Sequence, residues 1–151
     1  MSNVMPPLSL PGVLEPGLTS VRDYWHGLKR GENTIPFWDD INLSLAGLNS
    51  ESLMLIDVLA NPQRFRFGQV GKHVTEHYEG DLSGRFADEI EVRCPVDYLV
   101  GQCSATVEAR QPTYFCAMRS GNGDGGALLY SRIVLPLWGS GRVEMLLGAI
   151  T

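Results

Sequence analysis

The chain has 151 residues, 44% of them hydrophobic and 19% charged, with a formal net charge of −5 and a pI near 5.1. That length holds one domain with a real core plus at most a short appendage, and the composition is that of a globular protein. The twelve basic residues are scattered, which excludes a general nucleic-acid binder, because phosphate neutralisation needs clustered Lys and Arg.

Cys94, Cys103 and Cys116 form an odd set, with spacings that match neither a disulfide framework nor a zinc pattern. Reduced cysteines in a cytoplasmic protein are the expectation. The chain does not open on a basic segment followed by an apolar run, so no signal peptide is expected. No apolar stretch approaches the roughly 18 residues of a membrane span.

Residues 1–17 carry Pro6, Pro7, Pro11 and Pro16 and are expected to form an extended tail, mobile or laid across a neighbour. Thr19 and Ser20 offer an N-cap for a helix over 19–30, with Val21, Tyr24, Trp25 and Leu28 on one face and Gly31 as its stop. Two aromatics on that face require it to dock, either on the outer face of its own sheet or on a second copy. Tyr24, Trp25 and Leu28 are therefore the candidate partner-binding residues.

Residues 33–50 read as irregular. Strands follow over 53–60 and 64–70, joined by Asn61-Pro62-Gln63, and then a short helix over 72–78 closed by Gly80. A longer helix after Pro95 is predicted to run to about Arg110, with Val96, Leu99, Val100, Cys103 and Val107 on one face and Pro112 beyond it. Strands over 113–118, 127–137 and 142–150 complete the chain, with 120–126 a glycine-rich hairpin loop. The predicted fold class is α+β: a five-stranded antiparallel sheet with helices packed on one face, preceded by the N-terminal helix.

Several residues invite a chemical reading. Gly121-Asn122-Gly123-Asp124-Gly125-Gly126 lacks the following helix and the Lys-Ser/Thr pair of a phosphate cradle, and reads as a loop. His73 and His77 share a helix face at i, i+4, but no third ligand is apparent and no metal site is expected. Cys94 stands beside Arg93, yet both it and Cys103 read as small core residues. Asp57 interrupts an apolar strand: it either faces a cavity as a general base or pairs outward with Arg64 or Arg66. Phe67, Tyr114, Met118 and Met145 are the candidate ligand-binding residues; with Phe65 and Cys116 they either line a cup or fill it.

The order of elements resembles the PAS fold, and several blocks resemble a single-domain PAS family of alphaproteobacteria. These are Tyr24-Trp25 on a leading helix, Ile35-Pro36 followed by Asp39-Asp40, the Arg64-Phe65-Arg66-Phe67 strand ending in Val70-Gly71, the Leu82-Ser83-Gly84-Arg85 turn and the Leu135-Pro136-Leu137 strand. The resemblance covers about residues 20–151. One departure is Gly68-Gln69, where the family pattern leads one to expect an arginine.

Such domains bind haem, flavin or small metabolites, or bind nothing and dimerise. The resemblance therefore implies non-enzymatic sensing or docking, with a homodimer, a small molecule or a signalling protein as partner and the cofactor left open. The helix over 95–110 has no His to carry a haem, and the cysteine motif of flavin photosensors is missing. Two alternatives remain: an α+β cone enzyme of the ketosteroid-isomerase type, using Asp57 or His73 with Tyr114, and a purely structural interaction domain with a filled core.

Overall fold

The computed structural model describes residues 8–31, 33–42, 50–119 and 127–151. Strands β1 (Leu53–Leu59), β2 (Arg64–Val70), β3 (Thr113–Arg119), β4 (Ala127–Gly139) and β5 (Arg142–Ile150) form one antiparallel sheet in the order β2-β1-β5-β4-β3. Helices α1 (Pro16–Gly27), α2 (Lys72–Tyr78) and α3 (Leu99–Ala109) complete the α+β fold. Among the described residues no helix is long and apolar enough to cross a membrane. The glycine-rich loop over 120–126 lies outside the described residues.

Alternation along the strands sorts the apolar side chains onto two faces. On the inner face Met54, Ile56, Phe65, Phe67, Val134 and Leu146 pack against α2, α3 and the segment between them. On the outer face Leu53, Ile133, Leu135, Leu137, Leu147 and Ala149 pack against α1. α2 and α3 thus share one face, as expected, and α1 takes the outer face of its own sheet, the first of its two expected docking places. Its buried stripe is Leu18, Val21 and Trp25, an i, i+3, i+7 series on one face, and Leu14 just before the helix joins them against the sheet.

That stripe also explains why the helix starts earlier than predicted. Pro16 occupies the first turn, where its missing N–H costs nothing, and Glu15 is the N-cap. The hydroxyls of Thr19 and Ser20 donate back to the carbonyls of Leu14 and Pro16 instead of capping. Residues 8–14 are not a free tail. Leu8 and Leu14 are buried, and the Tyr114 N–H donates to the Leu8 carbonyl at 2.9 Å, covering part of the β3 edge.

The β2 edge is covered by the Leu82-Ser83-Gly84-Arg85 turn. Asp81 accepts the Ser83 N–H, and Gly84 takes the left-handed backbone that the turn needs. The returning chain then pairs with β2, the Phe67 N–H donating to Arg85 and the Ala87 N–H to Phe65. Gly68 and Gln69 form a bulge, since Met54 pairs with Val70 while Ile56 pairs with Phe67.

Two helix details differ from prediction. Glu79, not Gly80, takes the left-handed position that ends α2. α3 starts at Leu99 and buries Gln102, Cys103 and Thr106, while Val100 turns outward. Gln102 bonds to Arg132 and Thr106 to Thr113 on that buried face.

Candidate functional site

Gly71 ends β2 and caps α2, its N–H donating to the Leu53 carbonyl at 2.8 Å. A Cβ at that position would collide with the Glu51 carbonyl, so only glycine lets α2 spring directly across the start of β1. Val74 and Tyr78 bury into the core, which leaves His73 and His77 together on the helix's upper face. His73 Nε2 lies 3.0 Å from a Glu51 carboxylate oxygen and its Nδ1 lies 3.3 Å from Ser52 Oγ.

The chain beyond α2 is pinned back onto it. Tyr78 donates its phenol proton to the Glu91 carbonyl at 2.7 Å, and Arg93 Nε donates to the Tyr78 carbonyl at 2.9 Å with its guanidinium over the Tyr78 ring. Next comes Cys94-Pro95, whose position is set by Arg132. This side chain leaves β4 on the inner face, has 0% exposure, and is the largest fully buried one among the described residues. Its Nε donates to Gln102 Oε1 at 2.6 Å, its Nη1 to the Pro95 carbonyl at 2.9 Å and its Nη2 to the Asp97 carbonyl at 2.8 Å.

No carboxylate pairs with Arg132 within ion-pair distance among the described residues; burial pulls its pKa down, and Phe115 packs against the guanidinium plane. Gln102 returns a bond to the Arg132 carbonyl, Thr106 donates to the Gln102 carbonyl, and the Thr106 and Thr113 hydroxyls meet at 2.7 Å. A buried charge with its N–H groups turned onto carbonyls fixes the loop before α3 in one place.

The result is a cavity of about 150 Å³ at one end of the sheet, between α2, the Cys94-Pro95 loop and the strand ends. Its polar wall is Ser52, His73, His77, Cys94, Tyr130 and Thr151, and Val74, Pro95, Leu129 and Ile150 complete it. A space of that size accepts a molecule of about benzene's dimensions. Burial raises the pKa of the Tyr130 phenol, which donates to Asp97 at 3.0 Å. Burial and then the Asp97 charge push the Cys94 thiol up as well, so at neutral pH it is a neutral thiol and a poor nucleophile. The site offers hydrogen bonds beside an apolar wall rather than an activated nucleophile. Among the described residues no group of three or more His, Cys, Asp and Glu gathers to hold a metal ion.

Of the residues singled out in the sequence, His73, His77 and Cys94 line this cavity, whereas the candidate ligand-binding residues fall elsewhere. Phe67 is 1% exposed within the inner core and does not line this cavity. Tyr114 and Met145 belong to the outer face, so the sheet itself separates them from Phe67 and the three cannot form one cup. Tyr114 donates to Glu15 at 2.9 Å, and its pKa is pushed up to about 12, first by burial and then by that bond. Met118 is a β3 residue whose side chain lies outside the described ones.

Asp57 also faces outward and pairs with Arg66 at 3.1 Å; β5 and β4 lie between its strand and that of Tyr114, and His73 stands on the other side of the sheet, so the three do not converge. Trp25 is 2% exposed and donates its indole N–H to the Pro136 carbonyl at 2.8 Å; within the chain it is already engaged. Tyr24 accepts the Asn42 N–H at 2.8 Å, and Leu28 is the half-buried C-cap of α1. The residues that shape the cavity, Arg132, Gln102 and Tyr130, went unremarked in the sequence. One signal was available, since Arg132 is the single charged residue in β4.

No family model, no curated protein and no solved structure matches the chain.

Proposed function

We propose that the chain is a non-enzymatic sensory or adaptor module of the PAS type, which takes a small ligand or a protein partner and passes its state on through α1. The observation that carries this reading is the strand order β2-β1-β5-β4-β3, with the helical segment between β2 and β3 folded over one face. The 150 Å³ cavity at the rim of that segment is where a small ligand sits.

A route from cavity to helix supports the sensory reading. Thr151 lines the cavity, exchanges two backbone bonds with Ser131, and comes within 3.8 Å of where a Cβ on Gly17 in the first turn of α1 would lie. Ile150 lines the cavity while its neighbour Ala149 lies under α1. A ligand that binds better with α1 in one of two positions shifts the population between them. The output is a changed outer surface, read by a second copy or by a signalling protein in the cytoplasm. The three free thiols suit a reducing compartment.

Native mass spectrometry with an absorption spectrum of the freshly purified protein tests the proposal. A reproducible added mass, or a dimer that changes on adding a cell metabolite extract, supports it. A ligand-free monomer that extract leaves unchanged refutes it, and the burial of Phe67 then favours a structural interaction domain with a filled core.

A further inference from the structure

At the end of the sheet opposite the cavity lies a groove of about 360 Å³ between the β1–β2 turn, the end of α3 and the start of β5. Two arginines line it, Arg110 and Arg142, together with Asn61 and Gln63 from the turn. Val58, Leu59, Val107 and Val143 supply its apolar surface, and no carboxylate is among the residues lining it.

The two arginines stand apart from most of the others. Arg22, Arg30, Arg64, Arg66 and Arg93 each have an Asp or Glu within ion-pair distance, and Arg132 is held in its buried network. Arg110 has no ion pair among the described residues and lies 5.3 Å from the Trp138 ring centroid. Among the described residues Arg142 donates only to the Val143 carbonyl, at 3.2 Å. It also borders a second groove that holds Asp57 and Glu144, but neither is in ion-pair range of it. In a chain with 17 acids against 12 bases, two arginines without a carboxylate on one groove run against the charge balance.

Arg110 is further set by its backbone. As the C-cap of α3 it takes φ 55, a left-handed conformation that glycine usually fills, and its N–H donates to Thr106. The carbonyl end of α3 offsets part of its charge.

We propose that this groove binds a small organic oxyanion, a carboxylate or phosphate carried on an apolar body, with Arg110 and Arg142 on the anion and the valines against the body. Planar guanidinium forks match either headgroup. This site is separate from the 150 Å³ cavity and does not depend on the sensory reading.

The test is a titration of the full chain with benzoate and, separately, phenyl phosphate, followed by amide and indole NMR shifts. The expected result is saturable shifts at Asn61, Gln63, Arg110, Arg142 and the Trp138 indole, and the tighter probe identifies the headgroup. Arg142→Gln and Arg110→Gln each weaken binding by at least about tenfold, with Arg142→Lys in between. Arg142 lies outside the α3 cap, so its variants keep the test valid if Arg110→Gln unfolds the helix end. Non-saturating shifts spread over arginines elsewhere, no shift with either probe, or full affinity in Arg142→Gln overturns the proposal.

Discussion

Gln102→Leu is the sharpest probe of the buried network, because it keeps the side-chain volume and removes one polar group. The bond from Arg132 Nε to Gln102 Oε1 is 2.6 Å long and lies in a site without solvent. A hydrogen bond to a charged group contributes about 1.5–3 kcal/mol, and here its loss leaves a buried cationic N–H facing a methyl group. The longer 3.3 Å bond from Gln102 to the Arg132 carbonyl adds little. A loss of about 2–3 kcal/mol is expected from urea unfolding.

Arg132→Met acts differently. It strands the acceptors of Pro95, Asp97 and Gln102, at about 1–3 kcal/mol for each that water cannot reach, but it also removes a guanidinium whose burial costs several kcal/mol. Its net loss is expected at about 1–3 kcal/mol. In the double variant the two introduced side chains are both apolar and meet each other, and no stranded charge remains between them. The double loss should therefore fall short of the sum of the singles by about 1.5–3 kcal/mol. Losses that add within about 0.5 kcal/mol, or a Gln102→Leu variant as stable as the parent, would refute this account of the network.

Other perturbations test other parts of the fold. Trp25→Phe strands the Pro136 carbonyl under α1 and shrinks the ring, so a loss of about 2–4 kcal/mol is expected; an unchanged urea midpoint would mean that α1 does not dock on this sheet. Gly71→Ala forces a methyl onto the Glu51 carbonyl and should cost about 3 kcal/mol or more, a melting point equal to the parent's being the contrary result. Burial pushes the Cys103 thiol from 9.0 to about 12, so across that range the unfolded chain loses a proton that the folded chain keeps. Stability should then fall as pH rises above 9, by about 1.4 kcal/mol per pH unit from this group. A Cys103→Ala variant with the same alkaline slope as the parent would count against it.

Much of the element order was legible because it depends on local pattern. The Arg64–Val70 strand alternates Phe65 and Phe67 with two arginines, and the chain can satisfy that pattern only with one face buried. The same holds for the Lys72–Tyr78 helix and the Arg142–Ile150 strand, whose limits match the prediction. The start of α1 was missed because Thr19 and Ser20 look like caps, while the leucine at 14 that extends the buried stripe stood in a proline-rich stretch. At α3 the spacing placed Val96, Leu99, Cys103 and Val107 correctly on the core side and erred at Val100. It also missed Gln102, which is buried because Arg132, thirty residues further on, bonds to it there.

Sequence alone therefore determined the α+β class, the strand and helix sequence, and the need for the first helix to bury its aromatic face. These follow from side-chain period and turn chemistry, which act over a few residues. Which face each helix covers, which way Asp57 points, and the separation of Phe67 from Tyr114 and Met145 were decided by the tertiary structure. So were the cavity at α2 and the arginine groove at the other end of the sheet. Strand register and the packing of distant segments place those side chains, and neither is written in any local stretch of the chain.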